Sequence, residues 1–357
     1  MKIQTLQNAV EAFDFDIFDD EHIPDLGRAI ADHCCVVVRQ KLTEERHYDV
    51  ISSWGSRAAS KVIGAIALGI LKGVHWNGIR MTTANVGSLI DPRHRDRMQS
   101  VTFQKDRKGR ALGIFANGKL GWHSDQPAFE DSQWVIGLAS VEGSQNSQTT
   151  VLCTAEPFSL LSQDDITQVS ELECVYVWDE EKSKEYVGEL IREQQLITRY
   201  NGCPIDNLVS PFMAKTASGV PGIHFPGSLF SHFKGMGKDE SQKFLKHIWE
   251  KCLQDKYIYT HNWQDGEVLY MDNAITLHAR PTRVKDGDMR RMWRCTGYLD
   301  KLYPEHGPRK KIKLEDGREL TWPELFEQID AQRKEEYEEE KHKKWRDKWS
   351  KVFERMP

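Results

Sequence analysis

Two short motifs, far apart in the sequence, constrain this chain more than any other feature. The first is His123-Ser124-Asp125, and the second contains His278. On an extended strand, residues two apart project from the same face, so one strand can present an imidazole and a carboxylate together. A fold that adds the distant histidine would place three ligands on one side of a metal ion, an arrangement diagnostic of non-heme Fe(II) sites with open positions. The sequence therefore predicts a metal centre.

A bare His-x-Asp triplet is common by chance, so the rest of the histidines have to be considered. The chain has thirteen of them, and each one alone is more often structural than a ligand. No HExxH motif and no cysteine-rich zinc spacing is present. A zinc site is therefore a weaker interpretation than the site built on His123, Asp125 and His278.

The arginines that follow His278 add a second constraint. A strand over 290–298 would carry Arg290 and Arg294 on one face and Arg291 on the other. An arginine directed into an apolar interior is costly unless it meets an anion, and a carboxylate can accept both arms of the guanidinium. A dicarboxylate with one end on the metal and the other on arginine would satisfy both sites, and 2-oxoglutarate is such a molecule.

These features together resemble the TauD/TfdA (taurine dioxygenase-like) family of Fe(II)- and 2-oxoglutarate-dependent oxygenases. The resemblance covers roughly residues 20 to 300, with glycines in the 214–225 segment adding to it. The matching motifs, in chain order, are His123 and Asp125, Thr150, the Trp263–Leu269 segment, Asp272-Asn273, His278, and Arg290 with Arg294.

The resemblance implies that Fe(II) is held by His123, Asp125 and His278, with 2-oxoglutarate and O2 as cosubstrates. Thr150 and an arginine would bind the distal carboxylate. Arg290 is favoured for this role, while Arg294 would face cosubstrate or substrate. The implied reaction releases succinate and CO2 and hydroxylates a C–H bond. Because halogenase relatives have Gly or Ala in place of the carboxylate, the aspartate favours oxygenation, and desaturation or cyclisation stay open.

The substrate is less constrained than the cofactors. A small polar, amino-acid-like metabolite is the default expectation. Candidate contacts are Asn117, Trp122, Gln126, Phe129, His224 and Phe225. Core packing is the alternative for Trp122 and Phe129, and a satisfied buried position is the alternative for His224. The competing function is a non-catalytic cupin-type protein that binds a metal or small ligand.

The predicted fold class is α+β: a double-stranded β-helix (jelly-roll/cupin-like) core flanked by helices, with a C-terminal helical extension. The oxygenase domain would span 1–302, with a basic lid candidate at 91–119 and an insert at 155–263. The extension, 303–357, is rich in alternating charge and carries an aromatic stripe of Trp345, Trp349 and Phe353. That stripe would dock on its own domain or form a contact between subunits.

Local patterns predict individual elements within this frame. Helices are expected over 23–33, 43–54, 162–172 and 239–254, and strands over 34–38, 133–141, 149–154, 173–178, 268–271 and 290–298.

Composition limits the classes of partner. The formal net charge of −5 gives no general reason to expect nucleic acid or a membrane surface. Seven cysteines without a CxxC pair and no apparent signal peptide predict reduced thiols in the cytoplasm. No uninterrupted apolar run is long enough to predict a membrane span.

Overall fold

The computed structural model describes residues 1–56, 75–76, 79–80, 98–102, 120–125, 135–176, 208–227, 230–281 and 290–307, with stretches of 311–343. The chain divides into two compact units. The larger contains Met1–Ala58, Arg97–Val187 and Pro204–Arg309. The smaller contains Ala59–Asp96, Gly188–Cys203 and Lys310–Pro357. The boundary predicted near residue 302 stays a prediction.

Three of the described α-helices begin at a side-chain cap or an early proline. Thr43 and Ser162 each accept a hydrogen bond from a backbone N–H of the first turn, which satisfies a donor that the helix itself cannot. Among the described residues the helices are α1 (Ile23–His33), α2 (Glu44–Trp54), α3 (Ala155–Ser159), α4 (Gln163–Glu171) and α5 (Lys238–Cys252). Short 3-10 helices span Asp20–His22, Asp255–Tyr257 and Pro304–His306.

The strands of the described residues are as follows. They are β1 (Lys2–Leu6), β2 (Ala9–Phe13), β3 (Cys35–Val38), β4 (His75–Trp76), β5 (Ile79–Arg80), β6 (Met98–Thr102), β7 (Leu120–His123), β8 (Val135–Glu142), β9 (Gln148–Cys153) and β10 (Glu173–Tyr176). The later ones are β11 (Leu208–Pro211), β12 (Met213–Lys215), β13 (Pro221–Ile223), β14 (Phe230–Phe233), β15 (Ile258–Asn262), β16 (Val268–Asp272), β17 (Thr276–Arg280), β18 (Arg291–Gly297), β19 (Ile312–Lys313) and β20 (Glu319–Leu320).

Two sheets of the larger unit position the site. A seven-stranded sheet has the order β1-β2-β3-β16-β8-β18-β6, and a four-stranded sheet has the order β15-β9-β17-β7. In the seven-stranded sheet β2 and β3 run parallel, and the other neighbours are antiparallel. All three pairs of the four-stranded sheet are antiparallel.

The space between these two sheets is filled by apolar side chains. One buried cluster contains Leu138, Leu269 and Met292 from the seven-stranded sheet with Val151 and Tyr259 from the four-stranded sheet. Strands buried on one face alternate inward and outward side chains, so the same periodicity that packs this core aims every second residue of β17 and β18 inward.

The opposite face of the seven-stranded sheet is covered by α1 and α2. Gly137 on β8 permits the close approach of α2, because a Cβ there would lie 2.6 Å from Ile51 and 2.8 Å from His47. The ring of His47 is buried with Nε2 3.2 Å from the Gly137 carbonyl, and burial lowers its pKa to about 4. A neutral histidine therefore belongs to this helix-sheet contact.

A third apolar region lies beyond the four-stranded sheet, within the predicted insert. It joins α5 to the small sheet β11-β10-β14 through buried aromatic rings, including Phe212, Phe225 and Phe233. None of the helices described is long and apolar enough to cross a membrane.

Most of the predicted elements that fall on described residues are present, with ends shifted by one to two residues. Several elements were not predicted, among them α3, β15 and the three strands described next. The hairpin of β1 and β2 starts the chain, and β6 lies inside the segment 91–119 that was expected to be a loop. The rest of that segment lies outside the described residues, so its role as a lid stays a prediction.

The smaller unit is described only in part. It contains the strand pairs β4-β5 and β19-β20, and helical conformation recurs between residues 324 and 343, where Leu325 and Ile329 are buried. The predicted aromatic stripe of the C-terminal extension lies outside the described residues, so its docking partner stays a prediction.

Candidate metal centre

The pairing of β7 with β17 brings the two predicted histidine ligands together. His123 and His278 are direct partners across these strands, and their ring centroids are 4.3 Å apart. The Nε2 atoms of His123 and His278 lie 3.8 and 3.9 Å from Oδ1 of Asp125. All three ligand atoms fall within 4.8 Å of one another, close enough for one metal ion to contact them all.

Both histidine rings can offer a nitrogen lone pair at this point. Nδ1 of His123 lies 2.7 Å from the carbonyl oxygen of Gly121. Since a carbonyl only accepts, Nδ1 carries the hydrogen and Nε2 keeps its lone pair, as metal-binding histidines require. Burial and the neighbouring His123 lower the pKa of His278 to about 3, so its ring is neutral at physiological pH.

The backbone at Asp125 is fixed by one side chain from the turn after β16. Oδ1 of Asn273 accepts from the Asp125 N–H at 2.8 Å, and Nδ2 of Asn273 donates to the Asp125 carbonyl at 2.9 Å. Because this amide binds both the backbone N–H and the backbone carbonyl of Asp125, the carboxylate can move only by rotation about its side-chain bonds. Outer partners of this kind set the orientation of metal ligands.

The carboxylate of Asp125 is shared between the candidate metal position and an arginine. Oδ1 faces the histidines, while Oδ2 accepts from Nε of Arg294 at 3.0 Å and also from its Nη2. Burial alone would raise the pKa of Asp125, but the charge of Arg294 and the two histidines together hold it well below the usual range. A permanent carboxylate is therefore available to a metal through Oδ1.

Arg290 differs from Arg294 because the described residues give it no carboxylate. Its side chain is buried, and Nε and Nη2 donate only to the weak acceptor Sδ of Met292, at 3.2 and 2.8 Å. Nη1 is buried and has no hydrogen-bond partner among the described residues. Burial and the nearby charge of Arg280 lower the pKa of Arg290 to about 9. This donor fits the distal carboxylate of 2-oxoglutarate.

Thr150 lies on the strand beside the second histidine. Its buried hydroxyl donates to the Ala279 carbonyl at 3.2 Å, one residue from His278. A hydroxyl hydrogen can rotate to another acceptor, so the same group can donate to a carboxylate. Its location next to β17 suits the role predicted for it.

The alternation predicted along β18 is present. Met292 belongs to the cluster between the sheets, whereas Cys295 packs on the helix-covered side. Arg291 points away from the site, is partly exposed, and forms an ion pair with Glu142 at 3.2 Å. Arg290 itself lies one residue before the strand, and the pairing of β18 with β8 shifts register just after Arg291.

Only some of the predicted substrate contacts lie among the described residues. Asn117, Gln126 and Phe129 lie outside the described residues. Trp122 packs against the apolar cluster of the insert, and Phe225 is buried there with its ring 5.0 Å from that of Trp249. The position of Trp122 favours its packing alternative, whereas contact of Phe225 with substrate stays a prediction.

His224 is buried as well. Its Nδ1 lies 2.8 Å from the Ala274 carbonyl. This contact corresponds to the alternative given above, in which His224 is a buried histidine with a hydrogen-bond partner inside the protein. Direct contact of this side chain with substrate stays a prediction.

Two further residues of the site were missed from the sequence. Asn273 was recognised only as part of a turn, and its clamp on Asp125 depends on a contact between residues 148 positions apart. Arg280 is buried at the end of β17. Its signal was present, since it lies two residues after His278 and therefore on the same face.

Comparison with known proteins identifies the family of this chain. Residues 2–296 match the family described as "Taurine catabolism dioxygenase TauD, TfdA family". The chain belongs to this family. Membership implies 2-oxoglutarate and a metal ion. In sequence, a 54-residue segment is 33% identical to an alpha-ketoglutarate-dependent 2,4-dichlorophenoxyacetate dioxygenase of Burkholderia sp. (strain RASC), covering 15% of this chain and 18% of that protein.

Solved structures agree with the family at the level of fold. A taurine dioxygenase from Burkholderia xenovorans superposes with a TM-score of 0.55 at 19% identity, covering 89% of this chain and 93% of that one. The protein AAD-2, in complex with Mn(II) and N-oxalylglycine, superposes with a TM-score of 0.54 at 14% identity, covering 83% and 96%. The arrangement of sheets and helices is therefore that of TauD-like dioxygenases.

Proposed function

We propose that this protein is an Fe(II)- and 2-oxoglutarate-dependent dioxygenase that hydroxylates an unactivated C–H bond of a small polar metabolite. The observation that carries this proposal is the convergence of His123, Asp125 and His278 within one partly buried constellation, together with a buried arginine nitrogen that lacks an acceptor among the described residues. A metal-binding protein without catalysis would have no use for Arg290 at that position.

The iron, when bound, supplies oxygen activation coupled to decarboxylation of 2-oxoglutarate to succinate and CO2, and the chain's residues supply position and charge. His123, Asp125 and His278 hold the metal on one side. Arg290 and Thr150 bind the far carboxylate of the cosubstrate. Asp125 also occupies the ligand position that is vacated in the halogenase relatives, so hydroxylation is proposed over halogenation.

The proposed architecture is a distorted double-stranded β-helix, formed by the seven- and four-stranded sheets around the apolar cluster they share. The proposed catalytic domain covers 1–302, and the extension 303–357 lies beyond it. That division is supported by the family match, which ends at residue 296.

The proposed substrate is small, polar and amino-acid-like. The relatives are named for taurine and for 2,4-dichlorophenoxyacetate, two small molecules that each carry an anionic group. Arg294 supplies a half-buried cation beside the metal position, where an anionic group could meet it. Desaturation or cyclisation at the same site are the alternatives in reaction outcome. A cytoplasmic location, and self-association through the C-terminal helix, also stay predictions.

The direct test is release of succinate from 2-oxoglutarate by the Fe(II)-loaded protein with ascorbate and oxygen. A pool of amino acids and related anions would be added, and stimulation of succinate release would identify the substrate class. His123→Ala and Asp125→Ala should abolish the release, whereas Arg291→Gln should leave it unchanged because that side chain faces away.

The alternative is a non-catalytic cupin-type binding protein. It would bind the metal with no succinate formed under any addition to the pool. Turnover of 2-oxoglutarate that survives His123→Ala and Asp125→Ala would show that the assigned ligands do not carry the reaction.

A further inference from the structure

We propose that Ser140 is a further binding residue for the cosubstrate, and that its hydroxyl donates to the same far carboxylate that Arg290 holds. The inference rests on the proposed function, because it adds a residue to the same pocket. Its starting point is a buried hydroxyl that has no hydrogen-bond partner among the described residues and lies on β8, the strand that pairs with β18.

The backbone of Ser140 is bonded on both sides of its strand. It pairs directly with Met292 of β18, while its N–H donates to the Glu267 carbonyl at 2.8 Å and its carbonyl accepts from the Gly266 N–H at 3.1 Å. The hydroxyl is therefore the one polar group of Ser140 that the described part of the chain leaves unpaired. Because the backbone is fixed, this hydroxyl can move only by rotation about one side-chain bond.

The side chain of Ser140 lies on the face of β8 that carries the core between the two large sheets. Leu138, two residues earlier and therefore on the same face, belongs to that buried cluster, whereas Ala139 packs on the helix-covered side. Ser140 itself is 4% exposed. A buried hydroxyl without a partner is unfavourable, so this group is available to a polar ligand in the same space.

Met292 links this hydroxyl to the guanidinium of Arg290. Direct cross-strand partners such as Ser140 and Met292 point to the same face, with Cβ atoms about 4.5–5.5 Å apart. The sulfur of Met292 in turn lies 3.2 Å from Nε and 2.8 Å from Nη2 of Arg290. The hydroxyl and the guanidinium are therefore both neighbours of the same buried side chain.

A carboxylate is the ligand that fits both groups. Nη1 of Arg290 is buried without an acceptor among the described residues, and a carboxylate has lone pairs enough to accept from Nη1 and from a hydroxyl together. Thr150 has to give up its bond to the Ala279 carbonyl in order to donate to the ligand, whereas Ser140 gives up no printed contact of its hydroxyl. The arginine then supplies the charge, and Ser140 fixes the orientation of the carboxylate.

The test measures ligand binding and protein stability separately. 2-Oxoglutarate is titrated calorimetrically into the Mn(II)-loaded protein, and urea unfolding is followed without ligand. Ser140→Ala should weaken binding about tenfold, because one hydrogen bond to a charged group is lost. The same change should leave the ligand-free protein as stable as wild type or more stable, since an unpaired buried hydroxyl is removed.

Ser144→Ala is the matched control. Its hydroxyl is also buried without a partner among the described residues, but it lies in the connection between β8 and β9. This variant should bind 2-oxoglutarate within about threefold of wild type. Should Ser140→Ala fail to fold, Ser140→Cys carries the test, with a loss of about threefold or more because a thiol is a weak donor.

Three results would overturn the proposal. They are unchanged affinity in the Ser140 variant, an equal loss of affinity in Ser144→Ala, and a loss of affinity that is accompanied by a less stable ligand-free protein. Wild-type protein that binds no 2-oxoglutarate would instead contradict the proposed function itself.

Discussion

Two clusters of charged residues in the larger unit differ in whether their charged groups are paired within the protein. The first, around Glu267, is closed by contacts within the protein. The second, around Asp125 and Arg290, leaves ligand atoms and a guanidinium nitrogen directed at positions that no described side chain fills. The two clusters have the same kinds of residue, so residue type alone does not separate structure from function.

The Glu267 cluster satisfies its carboxylate on both oxygens. Oε1 accepts from Nη1 of Arg39, while Oε2 accepts from the Gln264 N–H at 2.9 Å and lies 3.1 Å from Nε2 of His261. Burial would raise the pKa of Glu267, but these partners outweigh it and lower that pKa. Arg39 also forms an ion pair with Glu11, whose Oε1 lies 3.1 Å from Nε of Arg39. Such a network holds strands in register, and the described residues alone give both carboxylate oxygens of Glu267 a partner.

The metal cluster shows the reverse pattern. Arg290 is as buried as Glu267 but finds only a thioether, and the histidine Nε2 atoms converge on one point. Buried polar groups are nearly always paired in folded proteins, so the open guanidinium nitrogen of Arg290 is available to a ligand. The difference between a closed and an open network is what identifies the binding site.

The largest effect expected is loss of turnover on removal of a ligand from the open cluster. His278→Ala should lower 2-oxoglutarate-dependent succinate release at least about a thousandfold, because the metal supplies several kcal/mol of the rate acceleration. His232→Ala, on a half-buried histidine of β14, is the matched control and should leave turnover unchanged. Activity within tenfold of wild type in His278→Ala would remove this histidine from the site.

A change in the closed cluster should act on stability instead. Glu267→Ala leaves Arg39 and His261 without their common carboxylate, and it should lower the free energy of unfolding by about 1–3 kcal/mol, because Arg39 is half-exposed and keeps its ion pair with Glu11. Urea denaturation measures this. Well below the unfolding transition, the KM for 2-oxoglutarate should match wild type. A raised KM without a loss of stability would mean that Glu267 belongs to the binding site.

Arg290→Gln should produce the opposite combination. The KM for 2-oxoglutarate should rise about tenfold to a hundredfold, since a charge-assisted contact is lost. The ligand-free protein should be as stable as wild type or more so, because a buried charge without a counter-charge is removed. Thermal unfolding with and without 2-oxoglutarate gives both quantities. A destabilised variant with unchanged KM would place Arg290 in a closed structural network.

The smallest effect concerns a second closed cluster, where α4 meets α5. Asp165 accepts from Lys251 at 2.7 Å and from His247 at 3.0 Å. Burial opposes ionisation, yet these partners lower its pKa to about 2. Its contribution is therefore present above the unfolded pKa and is lost as pH falls towards about 2. Asp165→Asn should cost about 1–2 kcal/mol near neutral pH, given the half-exposed partners.

The measurement is the free energy of unfolding between pH 2 and pH 6 for wild type and Asp165→Asn. The difference between the two should shrink as pH falls below about 4. A constant difference across this range would show that the charge of Asp165 is not the source of its contribution.

The sequence predicted those parts of the molecule that depend on local chemistry. Thr43 and Ser162 begin helices because their hydroxyls cap the first turn, and that signal lies within four residues. The three candidate ligands and Arg290 were found because strand alternation and motif spacing are readable along the chain. Each of these inferences needs only neighbours in sequence or a family pattern.

What was missed depends on contacts across the fold. β6 is an edge strand in a polar, basic segment, and only its pairing with β18 makes it a strand. The clamp of Asn273 on Asp125 joins two distant turns. Arg280 has the right parity, but its burial could be recognised only once β17 was placed in space.

The most direct test of an iron site that binds 2-oxoglutarate is an anaerobic titration of the Fe(II)-loaded protein with 2-oxoglutarate, followed by visible absorption. Chelation by the keto acid should produce a saturable charge-transfer band at one equivalent. Asp125→Ala should abolish the band, Arg290→Gln should shift its midpoint about tenfold or more to higher concentration, and Glu267→Gln should leave the midpoint unchanged. Wild-type protein that binds Fe(II) but gives no band, or a band that persists unchanged in Asp125→Ala, would contradict the assignment.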